Sequence, residues 1–115
     1  MKPVRVILLD QAREEYERLN RFIGEDSGRN AQEAQLFRSI KNKIELIRQN
    51  PFYGDNIKKR NIPVGLAVDN LWRVELTNYW RMLYTIRGDE IEIICFVLRI
   101  IDHPTYDLLL GYRKK

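Results

Sequence analysis

One cysteine, one histidine and no long apolar run limit what this 115-residue chain can be. Cys95 has no partner for an internal disulfide, and one His with one Cys falls short of the about four ligands of a closed zinc site, so no metal is expected. The apolar stretches stop well below the roughly 18 residues of a membrane span, and Val4 to Leu9 is too short for the core of a signal peptide. A soluble, cytoplasmic protein is therefore the expectation. Also missing are a glycine-rich phosphate loop, a His-Glu-x-x-His pair, a nucleophile elbow and a calcium loop, so no cofactor is expected either.

What is present is 44% hydrophobic and 31% charged, which excludes wholesale disorder and suffices for one domain over residues 1–115. Twenty Lys and Arg against sixteen Asp and Glu give a net charge of +4. That basic excess suits a nucleic-acid partner without requiring one.

Val4 to Leu9 is a β-branched and aliphatic run of strand length, and Asp10 is placed to cap a helix after it. Ala12, Tyr16, Leu19 and Ile23 then recur at helical spacing up to the polar link Gly24 to Arg29. A second helix, from about Asn30 to Asn50, keeps Ala34, Phe37, Ile40, Ile44 and Ile47 on one face, and Pro51 stops it. Two helices so joined form an antiparallel hairpin. Pro51 to Asp69 has the composition of turns and contains the basic triplet Lys58-Lys59-Arg60.

Beyond Asn70 the period becomes two. Trp72, Val74 and Leu76 alternate with Arg73, Glu75 and Thr77; Tyr79 to Ile86 forms a second strand; and Arg87-Gly88-Asp89 closes a hairpin onto Glu90 to Ile101. This last strand is nearly all apolar and reads as buried on both faces, with Trp72, Trp80 and Phe96 in the core and Cys95 a buried, unreactive thiol. An amphipathic stub from Tyr106 to Leu110 and a basic end follow. The order is β-α-α-β-β-β: an α+β fold in which an antiparallel sheet, with the N-terminal strand at one edge, packs against the helical hairpin.

Arg73, Arg81 and Arg99 lie inside strands, where guanidinium groups need an open or paired face. Alternation points Arg73 away from the core side. Arg81 either serves a site or pairs with Glu75 or Glu92 across the sheet. His103 and Tyr106 follow directly on the last strand. An acid/base pair beside arginines is what metal-free RNA cleavage needs, because attack of a ribose 2′-OH on its phosphate requires a proton acceptor, a donor for the leaving oxygen and positive charge on the phosphorane. The bland alternatives are a strand-ending turn at His103, a core-edge Tyr106 and a solvated triplet at 58–60.

Over nearly its whole length the chain resembles the RelE/ParE superfamily of toxins from type II toxin–antitoxin pairs, and within it the RelE/HigB-type mRNA interferases. The likeness rests on Asn70-Leu71-Trp72-Arg73-Val74-Glu75-Leu76, on Trp80-Arg81-Met82-Leu83-Tyr84-Thr85-Ile86, on Arg99 to Asp107 with its His-x-x-Tyr-Asp ending, and on Pro51-Phe52-Tyr53-Gly54 before the triplet. It implies a RelE-like fold and a ribosome-dependent endoribonuclease that cleaves mRNA without metal. Arg81 then matches the arginine on the scissile phosphate, Arg73 an RNA contact, His103 and Tyr106 the acid/base or base-stacking groups, and Lys58, Lys59 and Arg60 the contacts to ribosomal or messenger backbone. The implied partners are mRNA, the ribosome and an acidic antitoxin forming a hetero-oligomer with the chain. Glu75 stands where RelE-type sequences often carry a basic residue, and Pro104 follows the histidine where many relatives are basic. Two other readings stay open: a ParE-type inhibitor of DNA gyrase and an inactive binding module of the same fold.

Overall fold

The computed structural model describes residues 2–26 and 31–111. Strand β1 (Val4–Leu8) leads into helix α1 (Asp10–Asp26), and α2 (Ala31–Gln49) brings the chain back. Then come a two-residue strand β2 (Asp55–Asn56), two 3₁₀ turns (Lys59–Asn61 and Val64–Leu66), β3 (Trp72–Glu75), β4 (Trp80–Gly88), β5 (Ile93–Asp102) and helix α3 (His103–Leu110). Part of the expected link between the first two helices, the side chain of Ile23 and the basic C-terminal end lie outside the described residues.

The α+β class and the helical hairpin are as expected, and the sheet order is β1-β5-β4-β3-β2. Several details differ. The sheet is mixed rather than antiparallel, because β1 pairs with β5 in parallel, Val6 opposite Cys95. The hairpin carries the chain back to the end of the sheet where β1 leaves it, and three reversals from β2 bring β5 into the direction of β1. The segment read as irregular contributes β2, with Asp55 opposite Arg73. Finally, α3 starts three residues before the expected stub: Asp102 Oδ1 accepts from the Thr105 N–H at 3.1 Å, Pro104 fits the first turn, and Gly111 at φ 77° ends the helix.

Asp10 does not cap in extended geometry. It lies in the first turn of α1 at φ 44°, and the Leu9 carbonyl accepts from the Ala12 and Arg13 N–H groups. Gln11 then pairs through both ends of its amide with Ile100, N–H to Oε1 and Nε2 to the carbonyl, each at 2.9 Å. This satisfies the backbone of β5 just where β1 has ended.

The two faces of the sheet are covered unequally. Against the hairpin, Ala12, Leu19, Leu36, Phe37, Ile40 and Ile47 pack on Val74, Met82, Tyr84, Cys95, Val97 and Ile100, with Trp72 and Trp80 half-buried at the margin. On the opposite face, α3 and the 57–71 segment build a smaller core of Ile57, Leu71, Leu83, Ile101, Tyr106 and Leu110. That cover ends before the β1 side. Ile94, Phe96 and Leu98 are only half-buried, so β5 is not enclosed on both faces and Phe96 is not core. A register shift at Leu83/Tyr84 leaves Leu98 without a cross-strand partner and turns the last part of β5 so that Ile101 lies under α3.

Candidate functional site

The smaller core is also where the strand arginines meet the C-terminal helix. Because cross-strand partners share a face, the pairs Arg73 with Leu83 and Arg81 with Glu75 put both guanidiniums on the side away from the hairpin, as alternation predicts for Arg73. Capping by Asp102 sets the phase of α3. His103 falls in its first turn, Tyr106 one turn on facing the sheet, and Asp107 four residues from His103 on the same side.

Tyr106 is the centre of the arrangement. It is 2% exposed, and the guanidinium carbons of Arg73 and Arg81 lie 5.9 and 5.5 Å from its ring centroid, within cation–π range. Arg73 Nη1 donates to its hydroxyl at 3.3 Å. Arg81 Nη2 donates to His103 Nδ1 at 3.3 Å, and His103 Nε2 lies 3.2 Å from Asp107 Oδ2. The structure thus brings Arg73, Arg81, His103 and Tyr106 into one cluster. Lys58, Lys59 and Arg60 stand exposed on the first 3₁₀ turn, next to Ile57 of the same smaller core. Arg99, on the same sheet face opposite Leu83, donates to the neighbouring Leu98 carbonyl.

Carboxylates accompany Arg73, Arg81 and His103. Arg73 Nη2 is 3.0 Å from Asp55 Oδ2, Arg81 Nη2 is 4.0 Å from Glu75 Oε2, and Asp107 holds His103. Of the two partners weighed for Arg81 it is Glu75 that is near, since Glu92 pairs with Arg5 at 3.0 Å. Partial burial works against the charge on Arg73, but hydrogen bonds with Asp55 and Tyr106 overcome it and raise the pKa, so the group stays cationic. The Nε atoms of Arg73 and Arg81 are buried without a hydrogen-bond partner. The cluster can hold Tyr106 rigidly and can offer a limited positive potential. As it stands, it does not present the tyrosine hydroxyl to a substrate.

Two members escaped the sequence reading. Asp55 lies in a segment with the composition of turns, and nothing local shows that β2 brings it opposite Arg73. Asp107 was in view within the His-x-x-Tyr-Asp ending, and its spacing of four from His103 becomes informative once the helix is known to start at His103. Cys95 is buried as expected, and burial pushes its thiol up to about 11. Among the described residues no group of three or more His, Cys, Asp or Glu could hold a metal ion, and no helix is long and apolar enough to cross a membrane.

The fold is shared with solved toxins. The chain is similar to a YoeB/ParE toxin from Agrobacterium tumefaciens, at 16% identity and TM-score 0.57 over 86% of this chain and 98% of that one. It is also similar to a chain of the chromosomal ParDE toxin–antitoxin system from P. aeruginosa, at 8% identity and TM-score 0.53 over 86% of this chain and 95% of the other. No curated protein matches. The model of one family, the ParE toxin of the type II toxin–antitoxin system parDE, matches residues 6–104, which takes in Arg73, Arg81 and His103 and stops short of Tyr106. With that match over most of its length and the fold in agreement, the chain belongs to the ParE toxin family of type II toxin–antitoxin systems.

Proposed function

We propose that the chain is a growth-arresting toxin that acts in the cytoplasm by binding a protein target, DNA gyrase, and is neutralised by its antitoxin. The observation that carries this reading is the enclosure of Tyr106. Its ring is buried against two arginines and its hydroxyl accepts from Arg73. Asp55 and Glu75 already offset the arginine charges that a crowded phosphorane would need. A nuclease that moves a proton at a scissile phosphate requires its acid/base group within reach of the substrate. The family match points the same way, being to ParE toxins.

The second reading is the ribosome-dependent mRNA interferase. It is favoured by the convergence of Arg73, Arg81, His103 and Tyr106 on one sheet face, with Lys58, Lys59 and Arg60 exposed close to the same core. It requires α3 to shift so that Tyr106 and the arginines reach RNA.

Two assays separate these readings: supercoiling of relaxed plasmid by purified gyrase, and primer extension on a reporter mRNA in a translating extract, with a control lacking ribosomes. Inhibited supercoiling with intact mRNA is the expected result. Translation-dependent cuts with supercoiling untouched would overturn the gyrase reading in favour of the interferase. Neither effect, in a chain that still binds its antitoxin, would leave an inactive binding module.

A further inference from the structure

His103 is the only histidine of the chain, and its two ring nitrogens meet opposite partners. Arg81 Nη2 lies 3.3 Å from Nδ1. A guanidinium can only donate, so Nδ1 holds a lone pair. Nε2 lies 3.2 Å from Asp107 Oδ2, and an ionised carboxylate can only accept, so Nε2 carries the proton. Both contacts hold together only in the neutral Nε2–H tautomer. The other neutral tautomer loses both of them. The imidazolium keeps Asp107 but turns an N–H donor onto the N–H of Arg81.

Charged groups from three strands and the helix bear on this ring. Arg81 of β4 opposes a positive ring, and Asp107 of α3 favours one. Asp102, at the end of β5, is engaged in capping Thr105. Glu75 of β3 stands 4.0 Å from the same Arg81 nitrogen that contacts His103, in register directly across the strand pair. The guanidinium therefore has an alternative acceptor within reach.

We propose that His103 is a protonation-dependent latch between α3 and the sheet. Neutral, it accepts from Arg81 and ties the first turn of α3 to β4. Protonated, it remains with Asp107 and releases Arg81, which turns to Glu75, and the helix that carries Tyr106 loses its polar tie to the strand. The latch goes beyond the proposed function and holds whether the target is gyrase or mRNA.

A single histidine makes the test unambiguous in the full chain by NMR. At pH 8 the imidazole is expected as the Nε2–H tautomer. As the pH is lowered and the ring takes up its second proton, the Arg81 and Glu75 side-chain signals move together with those of His103. Over the same titration, amide exchange in α3, corrected for the intrinsic rate, accelerates about fivefold, the effect of losing one hydrogen bond. His103→Gln removes the step. An Nδ1–H tautomer at pH 8, α3 exchange that stays flat while the imidazole titrates, or a step that survives in His103→Gln overturns the latch. If that variant does not fold, the two wild-type measurements decide alone.

Discussion

Replacing Tyr106 by phenylalanine removes a single oxygen from the centre of the cluster. The ring stays, and with it the buried apolar surface and the stacking of Arg73 and Arg81 at 5.9 and 5.5 Å. The loss includes the acceptor for Arg73 Nη1, whose bond is long at 3.3 Å, while Arg73 keeps Asp55 at 3.0 Å. A part-buried hydrogen bond of that length with a charged donor contributes about 1 kcal/mol net, which for a domain of this size lowers Tm by about 4 °C. Tyr106→Ala, by contrast, removes a residue that is only 2% exposed and costs on the order of 3–5 kcal/mol, a large part of the stability of a small domain. The assays are thermal unfolding followed by circular dichroism, and growth arrest on induction. The expected result for Tyr106→Phe is a slightly lower Tm with arrest intact. Abolished arrest in a folded Tyr106→Phe protein of unchanged Tm would refute the reasoning, since the hydroxyl would then serve chemistry rather than structure.

Two further outcomes follow from the packing around β4. A Cβ at Gly54 would lie 2.8 Å from the Arg73 carbonyl and 3.1 Å from the Tyr84 hydroxyl, whereas one at Gly65 meets nothing within 4 Å. Gly54→Ala should therefore lose about 1–3 kcal/mol and Gly65→Ala gain a few tenths, up to about 1 kcal/mol. Equal urea midpoints for the two variants would contradict the structure. Burial pushes the Tyr84 hydroxyl up to about 12, partly offset by the Gly54 N–H donating to it, and the Cys95 thiol up to about 11, against ordinary values of 10.0 and 9.0. Both groups are neutral when protonated and hold their protons more tightly folded than unfolded. The stability tied to them is thus complete below pH 9 and is lost as pH rises toward 12. A urea midpoint that does not fall above about pH 9 would refute this.

Much of the fold can be read locally. Helical spacing in Ala12, Tyr16 and Leu19 and in Phe37, Ile40 and Ile47, and alternation from Trp72 to Leu76, reflect periodicities that the backbone imposes on any chain with one buried face. The same alternation places Arg73 on the face away from the hairpin. Strand β2 was not legible, because two polar residues, Asp55 and Asn56, carry no pattern, and the segment before them is held by a distant residue, Tyr84. Its hydroxyl donates to the Pro51 carbonyl at 2.7 Å and accepts from the Gly54 N–H at 3.0 Å. The extent of α3 was hidden by a Pro and a His that read as a turn until Asp102 is seen capping them.

The sequence by itself determined the class of fold, the order of its main elements and the residue types around the cluster, because composition and period act over a few neighbours. Whether those residues form an open site or a closed one was decided by the tertiary structure. Charge balance depends on groups far apart in the chain: β2 brings Asp55 to Arg73, and the β3–β4 register sets Glu75 beside Arg81. The seating of α3 then buries Tyr106 against the two arginines, since its ring fills the smaller core together with Leu83, Ile101 and Leu110. Contacts of that separation depend on how the strands register and the helix docks, and no local pattern encodes them.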